Sequence, residues 1–206
     1  MIHSVLAALV IPLLPITSAL FYRFDRQRYS EGKSRRIPII PGYRIAYRWV
    51  QLTTLIVAAA SVACEDCAYG WALLQLYKPG AFFYVGLSVC ICSVALFVWA
   101  KVRLGTEYSP CCDSLVANRL VATGPYAYIR HPISAANMAW LVGAFVATGS
   151  VWIILNFGIL ALYFVTSARQ EERALVSELP AYGAYMTRTG AFLPRLYRAS
   201  SQDSRG

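Results

Sequence analysis

Apolar residues gather into five runs without Asp, Glu, Lys or Arg, at 4–22, 49–63, 81–100, 133–148 and 151–167. A helix needs about 20 mostly apolar residues to cross a hydrocarbon core of roughly 30 Å. Within that core only helices and closed barrels satisfy every backbone N–H and C=O. The pattern predicts an all-α integral membrane bundle of about five transmembrane helices. Runs two and four are short, which tilting or flanking residues that reach the interface accommodate. The first run contains Pro12 and Pro15 and is followed, not preceded, by basic residues, so it reads as an anchor and not a cleaved leader.

Composition agrees. The chain of 206 residues is 58% hydrophobic and 14% charged, with a mean hydropathy of +0.50. A soluble domain of this size leaves roughly a third of its chain surface exposed and cannot hide that much apolar area. Charge placement predicts orientation: 18 of the 19 Lys and Arg residues fall in the first and third connections and the C-terminal tail. The positive-inside rule puts those segments in the cytoplasm, with the N-terminus outside and the C-terminus inside. The +9 net charge then reflects topology and attraction to anionic membrane lipids, and no zinc-finger spacing or aromatic-interleaved basic motif points to nucleic acid. The six cysteines form no disulfide framework; Cys64 and Cys67 have CxxC spacing but no second pair or nearby histidine, so no metal site is assigned.

Three regions follow: a three-span N-terminal part at 1–100 with a basic cytoplasmic loop, a two-span region at 101–199 that carries the candidate chemistry, and a disordered polar tail at 200–206. The stretch 101–132 is the longest connection without an apolar run, and it ends in Gly124, Pro125, Tyr126, Tyr128, Arg130 and His131 directly before a span. The last span runs on without a breaker past the membrane edge, carrying Glu171 and Glu172. After Pro180, residues Tyr182, Tyr185 and Met186 recur at helical spacing with Arg188 opposite, which predicts an interfacial amphipathic helix at 180–188.

The short turn Gly149-Ser150 makes the last two spans an antiparallel hairpin, so Arg130 and His131 emerge beside Glu171 and Glu172. Each has a structural explanation: Arg130 and Arg169 as snorkelling anchors, His131 as a residue ahead of the helix-starting Pro132, the glutamates as a solvated face. Their convergence on one site favours chemistry.

The string Gly124-Pro-Tyr-x-x-x-Arg-His-Pro132, two spans, Glu171-Glu-x-x-Leu, Tyr182-x-x-Tyr185 and a closing Leu193-Pro194 resembles the isoprenylcysteine carboxyl methyltransferase family and its bacterial relatives. The resemblance covers residues 101–194. It implies S-adenosylmethionine bound at the cytoplasmic face and a lipophilic acceptor, in that family a prenylcysteine carboxylate, arriving from the bilayer. By position it gives Leu120, Val121, Tyr126, His131 and Pro132 as the cofactor's lining and Glu171 as the carboxylate that holds it. The cofactor's ammonium and sulfonium suit a carboxylate, and its own carboxylate suits Arg130 or His131. Arg130, His131 and Glu172 are the catalytic candidates, His131 and the glutamates being the groups able to take a proton from an amine acceptor. Arg169 and Tyr185 are the acceptor-side candidates. Two departures stand out: Ser134 and Ala136 replace a tyrosine and a glycine of the usual pattern, and Ser167 stands where an acceptor-side arginine is usual. No Gly-x-Gly-x-x-Gly exists, which excludes a Rossmann cofactor site. An NADPH-dependent membrane lipid reductase and a non-catalytic protein of the same fold are the alternatives. Oligomeric state is not legible.

Overall fold

The computed structural model describes residues 2–25, 42–63, 75–77, 80–107 and 119–195. Cys64, Cys67, Cys111, Cys112, most of the first basic loop and the tail 200–206 lie outside them. The helices are α1 (Ile2–Val10), α2 (Leu13–Asp25), α3 (Tyr43–Ala63), α4 (Phe82–Leu104), α5 (Pro132–Thr148), α6 (Val151–Glu178) and α7 (Ala181–Arg188). Two short 3-10 turns, Gly105–Glu107 and Gly124–Ala127, complete the elements. The fold is all-helical, with three segments long and apolar enough to cross a membrane (Val5–Arg23, Phe82–Leu104 and Val151–Glu178) and two shorter apolar helices, Ile45–Ala60 and Pro132–Thr148.

The first run is helical at both ends but broken at 11–12. Pro15 has no N–H to give the Ile11 carbonyl four residues back, and a carbonyl stranded in an apolar bundle is costly. The indole of Trp140 in α5, 1% exposed, donates to it at 2.9 Å. The break thus ties the N-terminal segment to the helix that opens the candidate site.

Helices α4 and α5 make the most intimate pair. A Cβ on Gly86 would lie 2.3 Å from the Ala147 nitrogen, and one on Gly143 would lie 2.7 Å from the Gly86 oxygen. Small residues bring helix backbones this close where lipid supplies no hydrophobic drive between helices. Polar side chains add bonds across the bundle: Tyr47 to Asn137 at 3.0 Å, and Asn156 to Thr53 and Thr54 at 2.9 and 3.0 Å.

The C-terminal end of α5 has orphan carbonyls. Tyr77 Oη donates to those of Phe145 and Val146, Gln75 to Thr148, and the Leu76 amide to Gly149. Gly149, at φ +68°, takes the left-handed conformation that ends α5 and starts the hairpin. Helix α6 then runs for 28 residues, about 42 Å at 1.5 Å per residue, well beyond a hydrocarbon core. Its last turns, from Arg169 onward, carry the helix's charged residues. Large apolar side chains such as Val85, Ile91, Leu155 and Leu162 are exposed along α4 and α6, as a lipid-facing surface requires. One buried cluster, from Ala7 to Phe164, joins α1 through α6.

Candidate functional site

The site lies where α4, α5 and α6 leave the bundle, roofed by α7. Pro132 occupies the first turn of α5, and His131 just before it, at φ −122° and ψ 60°, stands outside the helical conformation. Residues 128–131 are clipped to the segment after α7: the Arg130 amide donates to the Gly190 carbonyl at 2.8 Å, that of His131 to Ala191 at 2.9 Å, and that of Gly190 to Tyr128 at 3.3 Å.

Side chains finish the clip. Arg130 Nε donates to Glu172 Oε1 at 2.6 Å, and its Nη1 donates to the carbonyls of Thr189 and Met186. His131 Nε2 is 3.0 Å from the same Glu172 oxygen. Burial opposes ionisation of Glu172, but hydrogen bonds from His131 and Arg130, with their charges, outweigh it and hold its carboxyl below the usual range. An ionised carboxylate only accepts, so His131 carries its proton on Nε2. Its Nδ1 lies 3.8 Å from Glu171 Oε2. Tyr185 Oη donates to the Tyr126 carbonyl at 2.6 Å, fastening α7 to the 124–127 turn.

These elements enclose a cleft of about 780 Å³, counted to its open mouth. Leu120, Val121, Tyr126, Arg130, His131, Pro132, Glu171 and Tyr185, all singled out in the sequence, line it. Glu172 sits behind, absorbed by Arg130 and His131. Glu171 is different: its side chain is 49% exposed at the cleft. Arg169, expected on the acceptor side, is exposed and absent from the lining. Two residues at about 100° each carry it to the far side of α6 from Glu171. Tyr185 lines the cleft, but its hydroxyl serves the fold. Arg130 lines it too, with its Nε and Nη1 donors committed.

Sequence reasoning missed Leu104, Glu107, Arg119, Leu175, Leu179 and Tyr182 as lining. Leu175 and Leu179 fall four and eight residues after Glu171, a helical stripe that could have been read. Glu107, 9% exposed, pairs with Arg119 at 3.5 Å, a contact without a local signal. Burial, then the charges of Glu171 and Glu172, raise the Tyr182 phenol, and burial pushes Tyr185 up to about 12. Both stay neutral at physiological pH. The cleft therefore offers a half-exposed carboxylate, an imidazole edge and an aliphatic and aromatic wall. Among the described residues no group of three or more His, Cys, Asp or Glu could hold a metal.

Residues 81–181 match the pattern of the phospholipid methyltransferase family. The chain is also similar to the cobalt-zinc-cadmium resistance protein CzcN of Cupriavidus metallidurans, 37% identical over 87 residues, 41% of this chain and 40% of that one. A second relative is the nickel-cobalt-cadmium resistance protein NccN of Alcaligenes xylosoxydans xylosoxydans, 35% identical over 81 residues, 39% of this chain and 38% of that one. The matches thus span about two fifths of either curated relative.

Proposed function

We propose that the cleft binds S-adenosylmethionine and that the protein is a membrane methyltransferase acting on a lipophilic acceptor. The carrying observation is the different fate of two adjacent carboxylates: Glu172 is consumed by Arg130 and His131, while Glu171 stands half-exposed at a largely apolar cleft. A carboxylate so placed suits a cationic ligand. The family match supports this, because residues 81–181 include the whole of α4, α5 and α6 and both motif clusters.

The residues fit the cofactor chemically. Glu171 would take the ammonium, and Leu120, Val121, Tyr126 and Leu175 offer apolar and aromatic surface to an adenosyl group. When bound, the cofactor supplies an electrophilic methyl on a sulfonium. An ionised acceptor needs only to be aligned and desolvated beside it, whereas an amine must lose a proton, for which His131 and Glu171 at the cleft are the candidates. Arg130 positions the site by fixing Glu172 and the end of α7.

The acceptor is proposed to be lipophilic because the cleft opens where two apolar helices leave the bilayer; such molecules are already concentrated there. A reductase reading needs cationic groups for a dinucleotide phosphate, yet Arg130 is committed and Arg119 pairs with Glu107. The metals in the relatives' names assign no ligand to this chain.

Transfer of labelled methyl from S-adenosylmethionine into organic-extractable material tests the proposal. Membranes containing the protein should give labelled product, and Glu171→Gln should abolish it. Unchanged labelling by Glu171→Gln would remove the carrying role given to that carboxylate.

A further inference from the structure

Tyr182 and Tyr185 stand about one helical turn apart on α7, and both line the cleft. Their hydroxyls have different fates. That of Tyr185 donates to the Tyr126 carbonyl at 2.6 Å. That of Tyr182 has no hydrogen-bond partner among the described residues, although Tyr182 is only 4% exposed. A phenol this buried ordinarily finds a partner. Among the described residues, the only fully enclosed side-chain polar atom without one is Gln51 Nε2, so the Tyr182 hydroxyl is reached from the cleft.

The Tyr182 ring is held in place. It meets the anchored ring of Tyr185 edge to face, centroids 5.5 Å apart, and packs with Leu120, Leu175 and Leu179. Arg130 ties down the end of α7 through the Met186 and Thr189 carbonyls. Burial and the charges of Glu171 and Glu172 keep the phenol protonated. The cleft thus has a fixed, neutral hydroxyl with a proton to share, set in an aliphatic wall.

Its place in the cleft selects the ligand. Leu175 and Leu179 follow Glu171 by about 6 and 12 Å along α6, away from the apolar part of that helix. Tyr182 continues this wall just beyond the end of α6. A lipophilic acceptor takes the opposite end, where the apolar helices leave the bilayer. The group reaching from Glu171 toward Tyr182 is then the nucleoside of a cofactor held by its ammonium. A base edge is polar but uncharged. A neutral phenol among leucines meets it without the cost of burying an unpaired charge.

We infer that the Tyr182 hydroxyl donates a hydrogen bond to a ring nitrogen of the cofactor's adenine, so that Tyr182 reads the base. The inference rests on the cofactor reading above. Leu120 and Leu175 supply contact area that any purine satisfies, whereas one placed donor distinguishes one ring edge from another.

The test is equilibrium binding to the purified full chain of S-adenosylmethionine and its 1-deaza, 3-deaza and 7-deaza forms, each with one ring nitrogen replaced by C–H. Tyr182→Phe keeps the ring and its packing, and without ligand it should unfold at the same temperature as wild type. It should bind S-adenosylmethionine about fivefold more weakly, the scale of one neutral hydrogen bond. One deaza form should bind wild type more weakly by the same factor, yet bind Tyr182→Phe as well as S-adenosylmethionine does. Full affinity of Tyr182→Phe for S-adenosylmethionine would overturn the inference and leave the cofactor reading standing, with the hydroxyl then serving the acceptor. Equal weakening of all four ligands by Tyr182→Phe would also overturn it, because the contact would not be to a ring nitrogen. Binding of none of the four by wild type would refute the cofactor reading and the inference with it.

Discussion

Glu171 and Glu172 are neighbours in sequence but about 100° apart around α6, and that turn decides their chemistry. Glu172 reaches Arg130 and His131 at 2.6 and 3.0 Å, whereas Glu171 stays open to the cleft. Glu172→Gln removes the charge from a bond network that joins α6 to the entry of α5, and should lower stability by about 1–3 kcal/mol. The effect should depend on pH. Its carboxyl is held below the usual range in the folded state, so the stabilisation is full above the ordinary value of about 4.3 and is lost as pH falls below it. Thermal unfolding followed by tryptophan fluorescence across that window should show wild type losing stability and Glu172→Gln nearly flat. Equal slopes would contradict the role given to Glu172. The meeting of Arg130, His131 and the glutamates was legible, because a hairpin of two spans must bring their ends together. The commitment of Arg130 to the Thr189 and Met186 carbonyls was not, since it depends on where the chain turns after α7.

At the level of elements, apolar run length told most of the story. The runs 81–100, 133–148 and 151–167 reappear within α4, α5 and α6, and a helix is found as α7 where one was expected at 180–188. Run 49–63 is extended backwards to Tyr43, where amphipathic residues continue the helix beyond its apolar part. The break at 11–12 was half legible: Pro12 and Pro15 mark it, but its rescue by Trp140 needs the packed bundle. The closeness of α4 and α5 was not drawn from sequence, although Gly86 and Gly143 carry its signal. Packing of this pair sets where α5 begins.

For the whole molecule, the helices fix a membrane architecture by length and composition, while orientation rests on charge placement. With 18 of 19 Lys and Arg residues on one side, the cleft and C-terminus are proposed to be cytoplasmic. A reporter fused after Gly206 should therefore be active only in the cytoplasm; activity on the outer side would reverse the orientation. The central claim is that the cleft is a site for S-adenosylmethionine held by Glu171. Titration of the purified protein with S-adenosylmethionine, read by calorimetry beside Glu171→Gln, tests it most directly. Saturable one-to-one binding by wild type, weakened at least about tenfold in Glu171→Gln at unchanged thermal stability, is the predicted result, a charged hydrogen bond being worth about 1.5–3 kcal/mol. No binding by wild type, or equal affinity in the two proteins, would contradict the claim.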